Sequence, residues 1–397
     1  MDEKKNVAAS LLRRSVRAMK LRKAFLTDFF NLGQGLALDN QVHMKYTADW
    51  LAVAQDATLD DGVSALFSIS HGWDVSYPET TGYIIPTFLN YSRFAGQGIW
   101  RDRAIKMADW LLMRQLDSGG FPHKLEVDTP VVFDTGQIIF GLISVFRETR
   151  VEEYLHSAER AARWLASIQE STGAWTRFNY RGSSHVYDTL VSWSLLEVYR
   201  DRQDYAFLNA SKRHLVWALN HQLENGWFQD NAFSLDESPS LHTIAYAARG
   251  FLEAGIILRC EEYIQAAIRA ADMLLAKQKG DGSLHGEYDE NWRSTVRWTC
   301  LTGNAQTAII WLKLYLMNGN LGYFEAAKRA NSFIKKTQNI KTNDLNIRGG
   351  IKGSHPIYGG YSSYAYPNWA AKFFLDSLML EETVRLQLGW KSMSSVG

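Results

Sequence analysis

The chain has 397 residues, 46% apolar and 21% charged, with a formal net charge of +1. This is the balance of a soluble globular protein. It excludes disordered and collagen-like chains, and no stretch reaches the ~18 uncharged apolar residues of a membrane span. The neutral charge gives no general drive toward DNA or RNA, and two cysteines, Cys260 and Cys300, are too few for a disulfide framework and suit a reducing compartment.

Residues 1 to 25 carry eight Lys/Arg against two Asp/Glu, so the rest of the chain is mildly acidic. The pair Arg13 and Arg14 is followed by charged sequence with no apolar core or small-residue cleavage site, which argues against a signal peptide and for a cytoplasmic protein. Leu12, Val16, Met19, Phe25 and Phe29 recur at mostly helical spacing between basic residues. Residues 1–41 are therefore expected to form a basic amphipathic helix and a linker. The helix packs on the body, with peripheral membrane contact as a further use of its basic face.

From residue 42 the sequence repeats itself. ADWLAVAQ, ADWLLMRQ, ARWLASIQ, LVWALNHQ, ADMLLAKQ and ANSFIKKTQ end on Gln55, Gln115, Gln169, Gln222, Gln278 and Gln338, at steps of 60, 54, 53, 56 and 60. Trp50, Trp110, Trp164, Trp217, Met273 and Phe333 keep the same steps five residues earlier. Gly-bearing turns such as DSGGF, ESTGAW, LENGWF and KGDGSL follow most of the glutamines and stop the helices. A second, more apolar helix begins 15 to 20 residues later, as in FDTGQIIFGLISVFRET and HTIAYAARGFLEAG. The first helix of each pair is amphipathic and suits an outer layer; the second is apolar nearly all round and suits an inner one. Units of about 55 residues, each with a long loop between outer and inner helix, exceed the usual solenoid repeat. They favour a closed ring with the long loops on one rim.

Six such hairpins resemble the (α/α)6 toroid of many carbohydrate-active enzymes and, more distantly, of terpenoid cyclases. The expected fold is all-α: a toroid over 42–382, the extra N-terminal helix, and a tail at 383–397. QESTGAW, Gln169 to Trp175, looks like the QxxxGxW motif that ties helix ends together in triterpene cyclases. Neither DxDD nor DDxxD occurs, so cyclisation is disfavoured. Cys300 in RWTCLTG lacks the partners a zinc site requires, and GGIKGS lacks the phosphate-loop pattern. No metal or other cofactor is expected.

The rim does carry sugar-binding chemistry, aromatic faces alternating with hydrogen-bonding and charged groups. Asp134, Asp188 and His242 each lie 54 residues apart at the start of an inner helix, where equivalent positions face a common axis. Helix capping is the competing role for the two aspartates. With His185 and Tyr187 they form the candidate catalytic set. Trp73, His123, Trp175, Arg177, Trp227, Arg249, Glu287, Arg297, Trp298, Asn304, Lys352, Tyr358, Tyr361 and Tyr366 are the candidate substrate-binding set. Glu79, Tyr77 and Gln137 also fall on the rim.

The His and Tyr inventory suits elimination on a uronate, with a base removing the proton at C5 and a Tyr donating to the leaving oxygen. A polysaccharide lyase is therefore the first expectation, with a poly- or oligosaccharide as partner. Glycoside hydrolysis is second: Asp134 in FDTGQ and Asp188 in YDTL resemble the pocket aspartates of unsaturated glucuronyl hydrolases, which implies a proton donor of raised pKa. A uronate C5-epimerase and a glycan-binding toroid without catalysis complete the alternatives.

Overall fold

The computed structural model describes residues 2–30, 35–123, 128–234 and 236–394, and side chains between 15 and 388. In chain order come α1 (Asp2–Phe29), α2 (Asn40–Asp56), β1 (Leu66–Ser68), β2 (Gly72–Trp73), α3 (Pro78–Ala95) and α4 (Ile99–Leu112). Next are α5 (Val132–Thr149), α6 (Glu152–Ile168), α7 (Thr189–Arg202), α8 (Tyr205–Leu219), α9 (Leu241–Leu258) and α10 (Glu261–Lys277). The chain ends with β3 (Thr299–Cys300), α11 (Leu301–Asn318), α12 (Leu321–Thr337), β4 (Ser354–His355), β5 (Ala365–Pro367) and α13 (Asn368–Ser394).

The odd helices α3 to α13 form the inner layer. Each packs on the next, and α13 packs on both α11 and α3, so the ring closes. The even helices α2 to α12 form the outer layer, with α2 lying against α13 at the seam. Burial follows the difference in sequence. Helix α6 buries one stripe, Tyr154, Leu155, Ala158, Ala161, Ala162 and Leu165, whereas α5 buries most of its length. Each inner helix from α3 to α11 turns into its outer neighbour through one left-handed residue: Gly96, Arg150, Gln203, Arg259 and Gly319. This turn makes the links short. Helix α13 continues past residue 382 to Ser394 without a break.

The repeated glutamines are staples between outer helices. Gln169 Nε2 donates to the carbonyls of Gly173 and Ala210, both at 2.9 Å, and its Oε1 accepts from Arg213. Gln115, Gln222 and Gln278 repeat the pattern toward Ser157, Ala266 and Ala326. Gln338 closes the circle onto Thr47 and His43 of α2. The paired glycine is obligatory: Gly173 has φ +94°, and a Cβ there would lie 2.5 Å from the Arg213 carbonyl oxygen.

The long loops gather on one rim and interlock. Backbone N–H groups at the starts of α5, α9, α11 and α13 donate to Phe178, Gly286, Gly353 and Ala65 in other loops. β1 pairs antiparallel with β2 and β5, and β3 with β4, which joins first, fifth and last loops. The end of α1 docks on the last loop. Asp28 accepts from Lys352 Nζ and from the Ile357 N–H, both at 2.7 Å, and Phe25 packs on Tyr358 at 4.8 Å. Val16 and Met19 on α1 are exposed.

Candidate active site

The starts of the inner helices place carboxyl groups around the axis at the loop rim. Asp134, in the first turn of α5, receives Tyr77 Oη at 3.3 Å and His123 Nδ1 at 2.9 Å on one oxygen, Oδ2. Glu79, in the first turn of α3, is buried beside it and shares Tyr77 as a hydrogen-bond partner. Burial, then the charge of Asp134, drives Glu79 well above the usual carboxylate range. Burial also raises Asp134, against the opposing pull of His123 and Tyr77. The two buried carboxyls are coupled, and Glu79, the one raised by its neighbour's charge, keeps its proton while Asp134 ionises first.

Asp188 occupies the N-cap position of α7, yet its side chain makes no cap hydrogen bond. Asp134 lies in the first turn of α5, whose N-cap position is Val131. Asp188 Oδ2 accepts from Asn179 Nδ2 at 2.6 Å, while Oδ1 has no hydrogen-bond partner among the described residues. Burial pushes this carboxyl up to about 8, against the lowering effect of Asn179, so it is a neutral acid at pH 7. Asp134 and Asp188 both bear on Tyr187, whose hydroxyl burial drives well above 10.

His242, in the first turn of α9, lies 2.8 Å from Gln306 Oε1 through Nδ1. An amide oxygen only accepts, so Nδ1 carries the proton and Nε2 presents a lone pair. Burial pulls its pKa down to about 4. Aromatic rings connect these groups: Phe133 touches Tyr187 and Tyr246, and His242 touches Tyr246, Tyr361 and Phe233.

The axis thus holds Asp134, Asp188, His242, Tyr187, His123 and Tyr361 from the candidate sets. His185 lies behind Tyr187: its Nε2 donates to the Tyr180 carbonyl and its ring stacks on Tyr187 at 4.5 Å. Most of the expected aromatic substrate platform is packing. Trp175 is fully buried and donates to the Leu165 carbonyl, and Trp227 is buried edge-on against Trp292. Trp73 ties the first loop to Asn346 of the last. Tyr366 is buried in β5, and Trp298 lies flat against Gly286 and Gly359. Asn304 is fully buried, holding Leu284 N–H and the Ala330 carbonyl. Lys352 and Tyr358 serve the α1 contact described above. Arg177 and Arg297 are exposed, and Arg177 covers Phe178. Glu287 is half-buried and accepts from Thr295. Arg249 lies deeper, paired with Glu253 of its own helix rather than with a rim acid.

Two further features stand out. His214, on outer helix α8, is fully buried against the Gly173 carbonyl. Glu79 and Tyr77, read only as rim residues, belong to the acid cluster. The repeat does not signal Glu79, because the equivalent positions in other hairpins carry no acid. Among the described residues no group of His, Cys, Asp or Glu is placed to hold a metal ion, and no helix is long and apolar enough to cross a membrane.

No protein-family model matches the chain. No curated protein matches it in sequence. Solved structures do. An unsaturated glucuronyl hydrolase specific for heparin is 16% identical with a TM-score of 0.71, over 87% of this chain and 97% of that one. Another, from Streptococcus agalactiae, is 12% identical with a TM-score of 0.66, over 89% and 94%. Cellobiose 2-epimerase from Bacillus thermoamylovorans is 15% identical with a TM-score of 0.67, over 83% and 95%. The chain has the (α/α)6 toroid fold that these hydrolases and epimerases have, over almost their whole length.

Proposed function

We propose that the protein is a carbohydrate-active enzyme that hydrolyses a uronate-containing oligosaccharide, with an unsaturated glucuronyl end group as the substrate. The observation that carries the reading is the buried, neutral Asp188, its Oδ1 without a hydrogen-bond partner among the described residues, near the Glu79–Asp134 pair. Asp188 is the proton donor. Asp134, oriented by Tyr77 and His123, is the carboxylate that positions and activates water. On an unsaturated uronate the donor protonates C4 of the enol-ether double bond and water, giving up a proton to Asp134, adds to the cation at C5; the hemiketal opens to a C5 ketone, and the hemiacetal left at C1 collapses to an aldehyde and releases the next sugar as its alcohol. Tyr187, Tyr361 and His242 line the bound ring. The glucuronyl hydrolases of the same fold support the substrate class.

Elimination, the first expectation from sequence, has less support. A tyrosine base at neutral pH requires a lowered pKa, whereas burial drives Tyr187, Tyr246 and Tyr361 well above 10. A second reading, sugar epimerisation, rests on His242, whose neutral imidazole keeps a free lone pair at the axis. We also keep peripheral membrane docking of α1 as a proposal; co-sedimentation with anionic vesicles, lost on replacing Arg17, Lys20 and Lys23 by Glu, tests it.

One experiment separates the enzymatic readings. Unsaturated oligosaccharides from lyase-digested glycosaminoglycans are incubated with the protein and the absorbance of the unsaturated uronate is followed. A fall, abolished by Asp188→Asn, supports hydrolysis. A rise on intact uronate polymers establishes elimination instead, and a new epimer without absorbance change establishes epimerisation.

A further inference from the structure

Below the rim the axis is not filled. Tyr83, Gln137, Tyr246, Gln306 and Phe373 form a layer one turn beneath His242, and under it lies a cavity of about 740 Å³. Its mouth opens at the far ends of the inner helices, where Asn90, Arg93, Phe94 and Thr383 are exposed. The size lies in the range of small-ligand pockets, and the walls, Phe140, Ile143, Trp193, Ile309 and Met379, are mostly apolar with a few placed polar groups.

Those polar groups are donors in excess. Arg249 and Lys313 both face the cavity and share a single carboxylate, Glu253, at 2.5 and 2.7 Å, which does not line it. Lys372 is paired with Asp376 at 2.8 Å, and Arg147 with Glu197 and Asp201 at 2.7 Å each. Arg93 and Arg147 are in last turns, where they also offset helix dipoles; Arg249 and Lys372 are not, so dipole compensation does not account for them. Two cations against one carboxylate in a buried wall is costly, and burial followed by the charge of Arg249 pulls Lys313 down. A dry apolar void would not need these groups.

We propose that this chamber is a second binding site, separate from the rim, for a small anion with an apolar body: a carboxylate or phosphate on a ring or short chain. The anionic head meets Arg249 and Lys313, and the body lies against Trp193, Phe140 and Met379. The site does not depend on the chemistry assigned to the rim.

The test uses the full chain and two fluorescent probes, anilinonaphthalene sulfonate and its neutral relative phenyl naphthylamine. The sulfonate is expected to bind one per chain and at least about ten-fold more tightly than the neutral probe. Asn90→Trp, which fills the exposed mouth, should weaken both. Lys313→Met, which leaves a neutral Arg249–Glu253 pair, should remove most of the preference for the anion. Asp188→Asn on the rim should change neither. Far-ultraviolet circular dichroism checks that each variant is folded. Equal affinity for both probes, absence of binding, indifference to Asn90→Trp or Lys313→Met, or loss of binding in Asp188→Asn would each overturn the proposal.

Discussion

Asn179 Nδ2 donates to Asp188 Oδ2 at 2.6 Å, and the Trp175 carbonyl takes the second amide hydrogen of Asn179 at 2.9 Å. The acid at the start of α7 is therefore held by the loop that begins with Gln169, so the staple between outer helices and the candidate proton donor belong to one continuous segment.

Asp188 predicts a pH profile. A proton donor held at about 8 is active below that value and loses activity as pH rises through it. Asp188→Asn should lower kcat by at least about 100-fold, the usual scale of general acid catalysis, with a smaller change in KM. Steady-state kinetics between pH 5 and 9 checks both.

The same group sets a stability trend. Its folded pKa is above the unfolded value of 3.8, so the native state holds a proton that the unfolded chain releases, and stability falls with rising pH between about 4 and 8. Asp188→Asn removes this contribution. Urea unfolding of the variant should show a shallower decline across that window than the unsubstituted protein.

Asp28 gives the opposite sign. Burial alone would raise it, but His355, 3.7 Å away, and the charge of Lys352 outweigh that and hold it at about 2. Its contribution, about 2 kcal/mol, is complete above the unfolded pKa and is lost as pH falls through about 2. Asp28→Asn should lower stability at pH 7 by at least that amount, since buried Lys352 then loses its partner. It should also release the end of α1, seen as faster proteolysis before residue 28.

The staple is testable at one repeat. Gln169→Ala removes two hydrogen bonds to backbone carbonyls and should cost about 1–3 kcal/mol. Gly173→Ala adds a Cβ at positive φ against a backbone oxygen and should cost at least as much. Differential scanning calorimetry reads both. Activity per folded molecule should fall as well, because Asn179 hangs from the same loop.

The acid pair is the fifth test. Tyr77→Phe removes a hydrogen bond that lowers Asp134, so Asp134 should titrate higher. The acidic limb of the activity profile should move to higher pH, whereas Glu79→Gln, which replaces the neutral member of the pair, should leave it in place.

The toroid was legible in the sequence because its cause is periodic. A helix that buries one stripe and a helix that buries all sides leave different patterns, and a glutamine that must reach the next outer helix recurs once per hairpin. The helix-start positions Asp134, Asp188 and His242 were legible for the same reason, since register in a ring places equivalent residues on the axis. Exposure and pairing of single side chains are not periodic. Trp175, Trp227, Asn304 and Lys352 have the residue types of a sugar site, and only the packing of one loop on another decides that they are buried ties. Glu79 joins Asp134 through Tyr77 across two hairpins, a contact no spacing announces. The 13% aromatic content was determined by sequence; its division between core and axis was decided by the tertiary structure, because burial depends on which neighbours the closed ring brings against each ring face.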